Sequence, residues 1–453
     1  MIKKNVTLDD IFESFYWNTS NKSKELFILN NLPYLQLDKN TLTELLYFAH
    51  MYYMDKLASL LIKKGADKTV IGTGIKSLGF SKFISENPNI PYKDVIFFSN
   101  PFGFGPTAKA IALLNVCQNY WNANLHYVTN DDCMQIFNNK QIHIIKANQR
   151  DLTEVEKVLS SFKAPYVVSS LNRFAIKIAH DKNIPNCFID SLTWMWNEIP
   201  QDYLLTDLYF ALNFPGLDEK IKKYHTLIKV PYIIDTYSPN ASFEESDLLI
   251  NVGGCMNPLT KECPTAFLSL LSSAISELPH KKIVVCGGKE AISFMDNMIK
   301  KDNVKCMTLK KEVFLSSLFH SKHFITTSGL NATLEAFKYN IPTSFIMPTN
   351  LSQWENLNVF NANSVAPNKV TWEDIINKDL DIHEKTEKEA IQIISQIANT
   401  VLKNPILKNK CVELIKKICT IIPDKYKQSV FIENIGSDGA HVIAKILKEK
   451  WRL

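Results

Sequence analysis

The most informative segment of this chain is Thr326-Thr327-Ser328-Gly329-Leu330-Asn331-Ala332-Thr333-Leu334-Glu335-Ala336. Its pattern predicts the end of a β-strand, a Ser-Gly turn and a helix whose first amides are free. Such amides bind phosphate groups, because they form the positive end of the helix dipole. Glu335 lies about two turns into the helix, where its carboxylate can accept hydrogen bonds from two vicinal hydroxyls, such as those of a ribose. A solvated helix glutamate is the alternative for a lone Glu.

A polar loop follows the next predicted strand and reads Met347-Pro348-Thr349-Asn350-Leu351-Ser352-Gln353-Trp354-Glu355-Asn356. This loop belongs to the same edge of the predicted sheet as the Ser-Gly turn. Gln353 and Asn356 carry amide groups that both donate and accept hydrogen bonds. We therefore predict that these two side chains bind sugar hydroxyls.

Short β-rich runs alternate with helical runs over most of the chain, which predicts βαβ crossovers and parallel sheets. The alternation pauses at the polar segment 232–245 and then resumes. We therefore predict an α/β fold with two doubly wound Rossmann-like units and an N-terminal helical extension. The predicted boundaries are 1–90 for the extension, 91–238 for the first unit, and 239–453 for the second unit with its carboxyl-terminal helices. The strands are predicted at 94–99, 125–129, 142–146, 166–170, 187–190, 208–212, 247–252, 282–286, 304–309, 323–327 and 343–347.

Half of the 14 glycines lie at four predicted strand-to-helix junctions. In open α/β sheets, ligands bind at the carboxyl ends of the strands, and glycine there lets the backbone approach a phosphate closely. Turn geometry alone explains any one junction, but four together favour a phosphate-bearing ligand. The seven residues are Gly103, Gly105, Gly253, Gly254, Gly287, Gly288 and Gly329.

Composition excludes several classes of protein. The chain has 453 residues, 46% of them hydrophobic, and a net charge of only +5, without the basic stripe of a nucleic-acid binder. No apolar run reaches the length of a membrane span and no secretory signal is recognised, so we expect a cytoplasmic protein. Nine widely spaced cysteines without a C-x-x-C pair predict reduced thiols and no metal site. Only three of the 51 basic residues are arginine, so phosphate binding is expected to rely on lysines and backbone amides.

The Ser-Gly-x-x-x-Thr-x-Glu helix and the Pro-x-x-x-x-x-Gln-x-x-Asn loop, placed in the second of two Rossmann-like units, resemble the glycosyltransferase-B fold. The nearest groups are the UDP-glucuronosyltransferases and the N-acetylglucosaminyltransferase that makes lipid II, and the resemblance covers roughly residues 93–400. It implies a UDP-sugar donor substrate, a small-molecule acceptor and metal-independent, inverting transfer without a cofactor. It implies donor-binding roles for Gly329, Leu330 and Thr333 at the diphosphate, Glu335 at the ribose, Gln353 and Asn356 at the sugar, and Gly253, Gly254, Gly288 and Ser328 around them.

The first glycine-rich junction is Asn100-Pro101-Phe102-Gly103-Phe104-Gly105-Pro106-Thr107-Ala108-Lys109. It resembles the acceptor-side loop of the same enzymes, which implies that Gly103, Phe104 and Gly105 bind the acceptor substrate. Many relatives carry a histidine directly after these glycines, often as the general base, whereas this chain has Pro106. The base must then come from elsewhere, or the acceptor needs little activation.

Asp190 is the first candidate for the catalytic base. It ends a predicted strand and is expected to face the cleft, where a carboxylate can remove a proton from an acceptor; a helix N-cap is the competing interpretation. Trp194 and Trp196 are predicted to stack on a planar or sugar acceptor, with ordinary packing as the alternative. Arg173 follows another strand and is interpreted as a contact to a phosphate or carboxylate, with a surface helix arginine equally compatible.

A narrower resemblance combines Pro-Phe-Gly-Phe-Gly-Pro at 101–106 with Asp-Ser-Leu-Thr-Trp-Met-Trp at 190–196. This combination is similar to cytosylglucuronate synthases, which join a pyrimidine base to glucuronate taken from its UDP form. The resemblance implies a pyrimidine acceptor stacked on the tryptophans and a carboxylated sugar held by Arg173.

Two other functions remain open at this level. Gly103-x-Gly105-x-x-Ala108 after a strand also fits the fingerprint of an NAD(P)-dependent oxidoreductase, with Asp131 as the acid that binds the ribose. Pro106 within the turn and the ligand signature of the second unit count against that function. The other alternative is a non-catalytic protein that binds a sugar nucleotide and uses residues 1–90 for a protein partner or self-association.

Overall fold

The computed structural model begins with a small helical unit. Its helices are α1 (Asn21–Asn31), α2 (Lys39–Met51) and α3 (Asp55–Lys63), and their apolar faces meet around buried leucines and isoleucines. Lys24 of α1 is buried close enough to Asp438 for the two charges to interact. The structure describes Leu8, Ile11, Ser14 and residues 21–51, 54–66, 93–100, 105–121, 123–129, 142–235, 245–255, 263–380 and 382–453.

The first sheet contains seven parallel strands in the order β3-β2-β1-β4-β5-β6-β7. Helices cover both of its faces, which is why the central strands are apolar along most of their length. The strands are β1 (Lys93–Ser99), β2 (Ala123–Thr129), β3 (His143–Lys146), β4 (Tyr166–Ser170), β5 (Asn186–Asp190), β6 (Leu208–Leu212) and β7 (Leu227–Val230). The helices are α4 (Gly105–Tyr120), α5 (Leu152–Ser160), α6 (Arg173–Asp181) and α7 (Leu217–Lys223).

The second sheet contains five parallel strands in the order β10-β9-β8-β11-β12. Its central strand β8 pairs with β9 on one side and β11 on the other, so Leu249 lies opposite both Val284 and Phe324. The strands are β8 (Leu248–Asn251), β9 (Ile283–Cys286), β10 (Val304–Met307), β11 (Phe324–Thr326) and β12 (Thr343–Phe345). The helices are α8 (Thr265–Ser276), α9 (Lys289–Met298), α10 (Lys311–Phe319), α11 (Leu330–Lys338) and α12 (Leu351–Ala362).

Five helices complete the chain, and the last of them returns to the first sheet. The indole nitrogen of Trp121 donates a 2.9 Å hydrogen bond to the carbonyl of Ala444, and the ring of Trp451 lies 5.1 Å from that of Tyr166. The boundary at 239 assigns this last helix to the second unit, whereas its contacts lie with the first. The helices are α13 (Trp372–Ile376), α14 (Glu387–Lys403), α15 (Pro405–Thr420), α16 (Tyr426–Ile435) and α17 (Gly439–Trp451).

The two units share an apolar contact beside the sheets. The ring of Phe214, which follows β6, lies 6.1 Å from that of Phe360 in α12 and 5.7 Å from that of Phe431 in α16. Such edge-to-face pairs add about 0.5–1.5 kcal/mol each beyond the burial of apolar area. This contact fixes one side of the interface and leaves the carboxyl ends of both sheets facing a cleft.

The predicted architecture of two doubly wound parallel sheets is confirmed. β4 and β6 have the predicted bounds, whereas β7 was not predicted, because four residues that include Lys229 give too short an apolar pattern. No helix in the described part of the chain is both long and apolar enough to span a bilayer. The eight described cysteines are free thiols.

Candidate functional site

A cleft of about 770 Å³ lies between the carboxyl ends of the two sheets. Its walls come from both units: the start of α4 and the loop after β5 on one side, and the turns after β8, β9, β11 and β12 on the other. The predicted site residues among those that line it are Gly105, Trp196, Gly253, Gly254, Gly329, Leu330, Glu335, Gln353 and Asn356.

Helix α11 begins at this cleft. Gly329 is its N-cap residue, and the amide of Gly329 donates to the carbonyl of Thr327 at 2.7 Å. The first bond within the helix runs from the amide of Thr333 to the carbonyl of Gly329, so the amides of 330–332 precede it. A Cβ atom on Gly329 would meet no atom within 4 Å. The start of α11 therefore has open space beside its first amides, as an anion site requires.

Glu335 lies in the cleft but is only 3% exposed. One carboxylate oxygen, Oε1, forms an ion pair with Lys311 of α10, and the other, Oε2, has no hydrogen-bond partner. Burial raises the pKa of this carboxyl, and Lys311 acts against that rise. A buried oxygen without a hydrogen-bond partner costs free energy, so Oε2 of Glu335 is available to accept a hydrogen bond from a hydroxyl group.

Gln353 and Asn356 lie together at the start of α12. Gln353 Oε1 accepts hydrogen bonds from the amide and the hydroxyl of Thr349, at 2.8 and 3.1 Å. Asn356 Nδ2 donates to the carbonyl of Ser328 at 2.9 Å, while its Oδ1 is buried without a partner. Ser328 itself is fully buried and donates to the carbonyl of Gln353. These contacts join the Ser-Gly turn to the polar loop, as the sequence predicted for one sheet edge.

Thr333 does not line the cleft. It is fully buried, and its Oγ1 has no hydrogen-bond partner. The predicted contact between Thr333 and the donor diphosphate therefore has no support from the unliganded geometry.

The paired glycines after β8 and β9 allow two turns to pack closely against each other. The amide of Gly288 donates to the carbonyl of Gly253 at 2.8 Å, and a Cβ atom on Gly288 would lie only 2.2 Å from the carbonyl oxygen of Gly254. Gly253 has φ of +71°, which favours glycine. Gly288 is therefore required for packing and does not line the cleft, whereas Gly287 does. The predicted role of Gly288 in donor binding has no support from this position.

A group of acidic side chains also lines the cleft. Glu387, the first residue of α14, accepts hydrogen bonds from the amides of Leu351 and Ser352, and its Oε1 is buried without a partner. Burial raises the pKa of Glu387 to about 7. Nearby, Nδ1 of His383 lies 2.6 Å from a carboxylate oxygen of Glu355. The sequence patterns gave no sign of this group, because its members belong to separate segments.

Lys109 is a buried residue of the cleft that the sequence reasoning did not single out. It belongs to α4 in the first unit, is only 3% exposed, and lines the cleft. Its ammonium group donates to Oδ1 of Asn331 in α11 and lies 5.3 Å from the ring of Tyr232. Burial lowers the pKa of Lys109 to about 7, against the pull of Glu335. The position of Lys109 in the helix after the first glycine loop could have indicated from the sequence that it lies near the cleft.

Asp190 does not face the cleft, so the prediction of its position is wrong. Its side chain is fully buried and accepts hydrogen bonds from the Leu192 amide (2.6 Å), Trp196 Nε1 (2.8 Å) and the Tyr209 hydroxyl (2.5 Å). Burial raises the pKa of Asp190 despite these donors. With three donors occupying its oxygens, Asp190 positions the loop after β5 and is not placed to reach an acceptor. The hydrogen bond from the Leu192 amide to the Asp190 carboxylate is similar to that of a helix N-cap, the competing interpretation of Asp190, although no helix follows directly.

The two tryptophans have separate roles. Trp196 lines the cleft, held by its bond to Asp190 and by an edge contact with Tyr203 at 5.9 Å. Trp194 packs inside the first unit, with its ring 4.9 Å from that of Phe214. Trp196 is therefore the one available for stacking, and Trp194 fits the packing alternative.

Arg173 and the first glycine loop contribute less than predicted. Arg173 is exposed at the start of α6, with its guanidinium 5.0 Å from the ring of Phe174, and it does not line the cleft. Its predicted contact to a phosphate or carboxylate therefore has no support from its position relative to this cleft. Gly103 and Phe104 lie outside the described residues. Gly105 begins α4, and its carbonyl accepts a 3.0 Å hydrogen bond from Asn331 Nδ2.

No group of three or more His, Cys, Asp or Glu side chains is arranged to hold a metal ion within the part of the chain that the structure describes.

A comparison with a solved structure at a TM-score of 0.50 confirms the fold. The chain has a TM-score of 0.50 with Os79 from O. sativa in complex with UDP, at 9% identity over 79% of this chain and 100% of that one. It has a TM-score of 0.48 with the UDP complex of MnaA from S. aureus (14% identity, 80% and 97% covered) and 0.43 with MurG from Acinetobacter baumannii (11%, 79% and 99%). No family model and no curated protein sequence matches the chain. The architecture is that of the glycosyltransferase-B fold.

Proposed function

We propose that this chain is a glycosyltransferase that moves a sugar from a UDP-sugar to a small-molecule acceptor in the cleft between its two units. The observation that carries the proposal is the start of α11. An open helix amino terminus, the unpartnered Oε2 of Glu335 and the unpartnered Oδ1 of Asn356 all belong to the same cleft. A phosphate, a ribose and a sugar are the groups that this set of donors and acceptors suits.

The donor would lie along the second unit. Its diphosphate would bind at Gly329 and the first amides of α11, its ribose hydroxyls at Glu335, and its sugar at Gln353 and Asn356. The positive end of α11 would stabilise the negative charge that builds up on the departing diphosphate, without a metal ion.

The acceptor would lie against the first unit, where Trp196 lines the cleft beside Leu192 and Met195. The indole ring of Trp196 would suit stacking by a planar acceptor such as a pyrimidine base. A carboxylated donor sugar loses its candidate partner, because Arg173 is outside the cleft. The acceptor heteroatom would attack the anomeric carbon as the bond from that carbon to the diphosphate breaks, and the acceptor proton would leave to a base. Inversion at that carbon is what the resemblance implies.

A non-catalytic sugar-nucleotide-binding protein is the second candidate. The burial of Asp190 favours it, because the carboxylate proposed as base is occupied by three donors. Both candidates predict UDP binding, and only the first predicts consumption of a UDP-sugar.

The experiment that tests the proposal is a thermal-shift panel with UDP, UDP-glucose, UDP-glucuronate, UDP-N-acetylglucosamine, NAD and NADP, followed by mass spectrometry of each stabilising UDP-sugar incubated with pyrimidine bases. A ligand at 100 times its Kd adds about 2.7 kcal/mol of stability. Stabilisation by UDP and release of UDP with a glycosylated product support the proposal. Stabilisation by UDP without turnover supports the non-catalytic candidate, and stabilisation by NAD or NADP alone contradicts both.

A further inference from the structure

Lys109 connects the two units at the mouth of the proposed diphosphate site. Its ammonium group donates to Asn331 Oδ1, and Asn331 Nδ2 donates back to the carbonyl of Gly105 at 3.0 Å. Asn331 is the second residue of α11, so Lys109 reaches the same helix turn whose amides open on the cleft. A lysine of the first unit thus lies beside the anion site of the second.

We propose that Lys109 binds the diphosphate of the donor at the start of α11. This inference rests on the proposed function, and it adds a cationic group that the glycine and amide contacts do not supply. A lysine ammonium is a compact charge that suits a phosphate oxygen, and bonds between an ammonium and a phosphate are stronger than neutral ones. The contact would also draw the two units together around the donor.

The surroundings of Lys109 leave its charge only partly compensated when the cleft is empty. Glu335 gives the strongest attraction to the charge of Lys109, but Glu335 is already paired with Lys311, whose own charge repels Lys109. Asp190 gives a weaker attraction. Tyr232 contributes the face of its ring. A diphosphate at α11 would supply the missing negative charge.

Proton uptake on donor binding follows from this arrangement. Burial lowers the pKa of Lys109 to about 7, so at pH 8 the side chain is mostly neutral. A neighbouring diphosphate favours the charged form and raises that pKa. Binding at pH 8 should therefore take up most of one proton from the buffer, and the affinity for UDP should fall as the pH rises above 7.

The test is calorimetric titration of UDP at pH 8 in two buffers with different heats of ionisation. The proteins are the wild type, Lys109→Met, Lys109→Arg and the control Lys177→Met, whose side chain is 46% exposed on α6. We expect the wild type and the control to take up about one proton. Lys109→Met should bind UDP about 10-fold or more weakly, since a charge-assisted bond is lost, and should lose that uptake. Lys109→Arg should keep most of the affinity without the uptake, because arginine stays charged.

Three results would overturn the inference. The first is that the wild type binds UDP without proton uptake, a result that needs no variant. The second is that Lys109→Met keeps both the affinity for UDP and the proton uptake. The third is that both variants bind UDP normally yet lose transfer, which would place Lys109 at the acceptor as a base. If the wild type binds neither UDP nor any UDP-sugar, the proposed function itself fails, and this is seen before any variant is made.

Discussion

Replacing Lys109 by methionine should stabilise the empty protein, and the gain should depend on pH. The pKa of this lysine falls from the ordinary value of 10.5 to about 7 because the side chain is buried. At about 1.4 kcal/mol for each pKa unit, holding the charged form in the folded protein costs about 5 kcal/mol. Methionine has a similar length and no charge, so it removes this cost.

The sign of the pH dependence follows from proton binding. Below pH 7 the lysine is charged in both the folded and the unfolded protein, and the whole cost is present. Between pH 7 and 10.5 the unfolded protein binds more protons than the folded one, so the stability of the wild type rises with pH. The advantage of Lys109→Met should therefore shrink by about 2–3 kcal/mol between pH 6 and pH 9.

The assay is urea unfolding of the wild type and Lys109→Met at pH 6 and pH 9, followed by tryptophan fluorescence. Lys177→Met is the matched control: Lys177 is exposed on α6 of the same unit and should give the same small difference at both values. A stability difference between wild type and Lys109→Met that stays constant with pH would refute the reasoning, because it would mean that the buried lysine does not lose its proton near pH 7.

Three further substitutions test other parts of the site. Glu335→Gln should weaken binding of UDP by about 10-fold and affect 2′-deoxy-UDP less, because 2′-deoxy-UDP lacks a hydroxyl that donates a hydrogen bond to the carboxylate; an equal loss for both ligands in titration calorimetry would contradict the ribose role. Gly288→Ala should lower the free energy of unfolding by about 2 kcal/mol or more, since its Cβ would lie 2.2 Å from the Gly254 carbonyl oxygen, whereas Gly329→Ala, with open space, should change it by less than about 1 kcal/mol. Similar losses in urea unfolding for these two alanine variants would refute the packing account. Asp190→Asn should cost about 1–3 kcal/mol of stability, because an amide meets three donors, while UDP binding persists; unchanged stability would show that the loop does not depend on the carboxylate.

Local patterns were enough to predict most of the fold. Apolar runs of four to six residues separated by helical segments predicted two parallel sheets, and the bounds of β4 and β6 match residue for residue. The Ser-Gly turn before α11 and the polar loop before α12 were also predicted to share one sheet edge, and hydrogen bonds between Ser328, Gln353 and Asn356 join them. Strand, turn and helix are encoded within a few residues, which is why a sequence read by itself can recover them.

The lining of the cleft was predicted well in the second unit and less well in the first. Gly329, Glu335, Gln353 and Asn356 line the cleft because they follow strands whose carboxyl ends meet there. Asp190 also follows such a strand, but Tyr209 and Trp196 turn their donors onto its carboxylate and bury it. Position at a strand end thus places a residue at the carboxyl edge of the sheet. It does not decide whether the side chain faces the cleft or packs inside the unit.

The sequence by itself determined the two sheets, the helix that opens on the cleft, and the polar residues at the strand ends, because each depends on neighbours along the chain. Only the tertiary structure decided which of those residues line the cleft. Lys109 meets Asn331 across 222 positions of sequence, and α17 returns to the first sheet from the far end of the chain. Burial and charge at Lys109 arise from groups brought together by folding, and no local pattern carries that information.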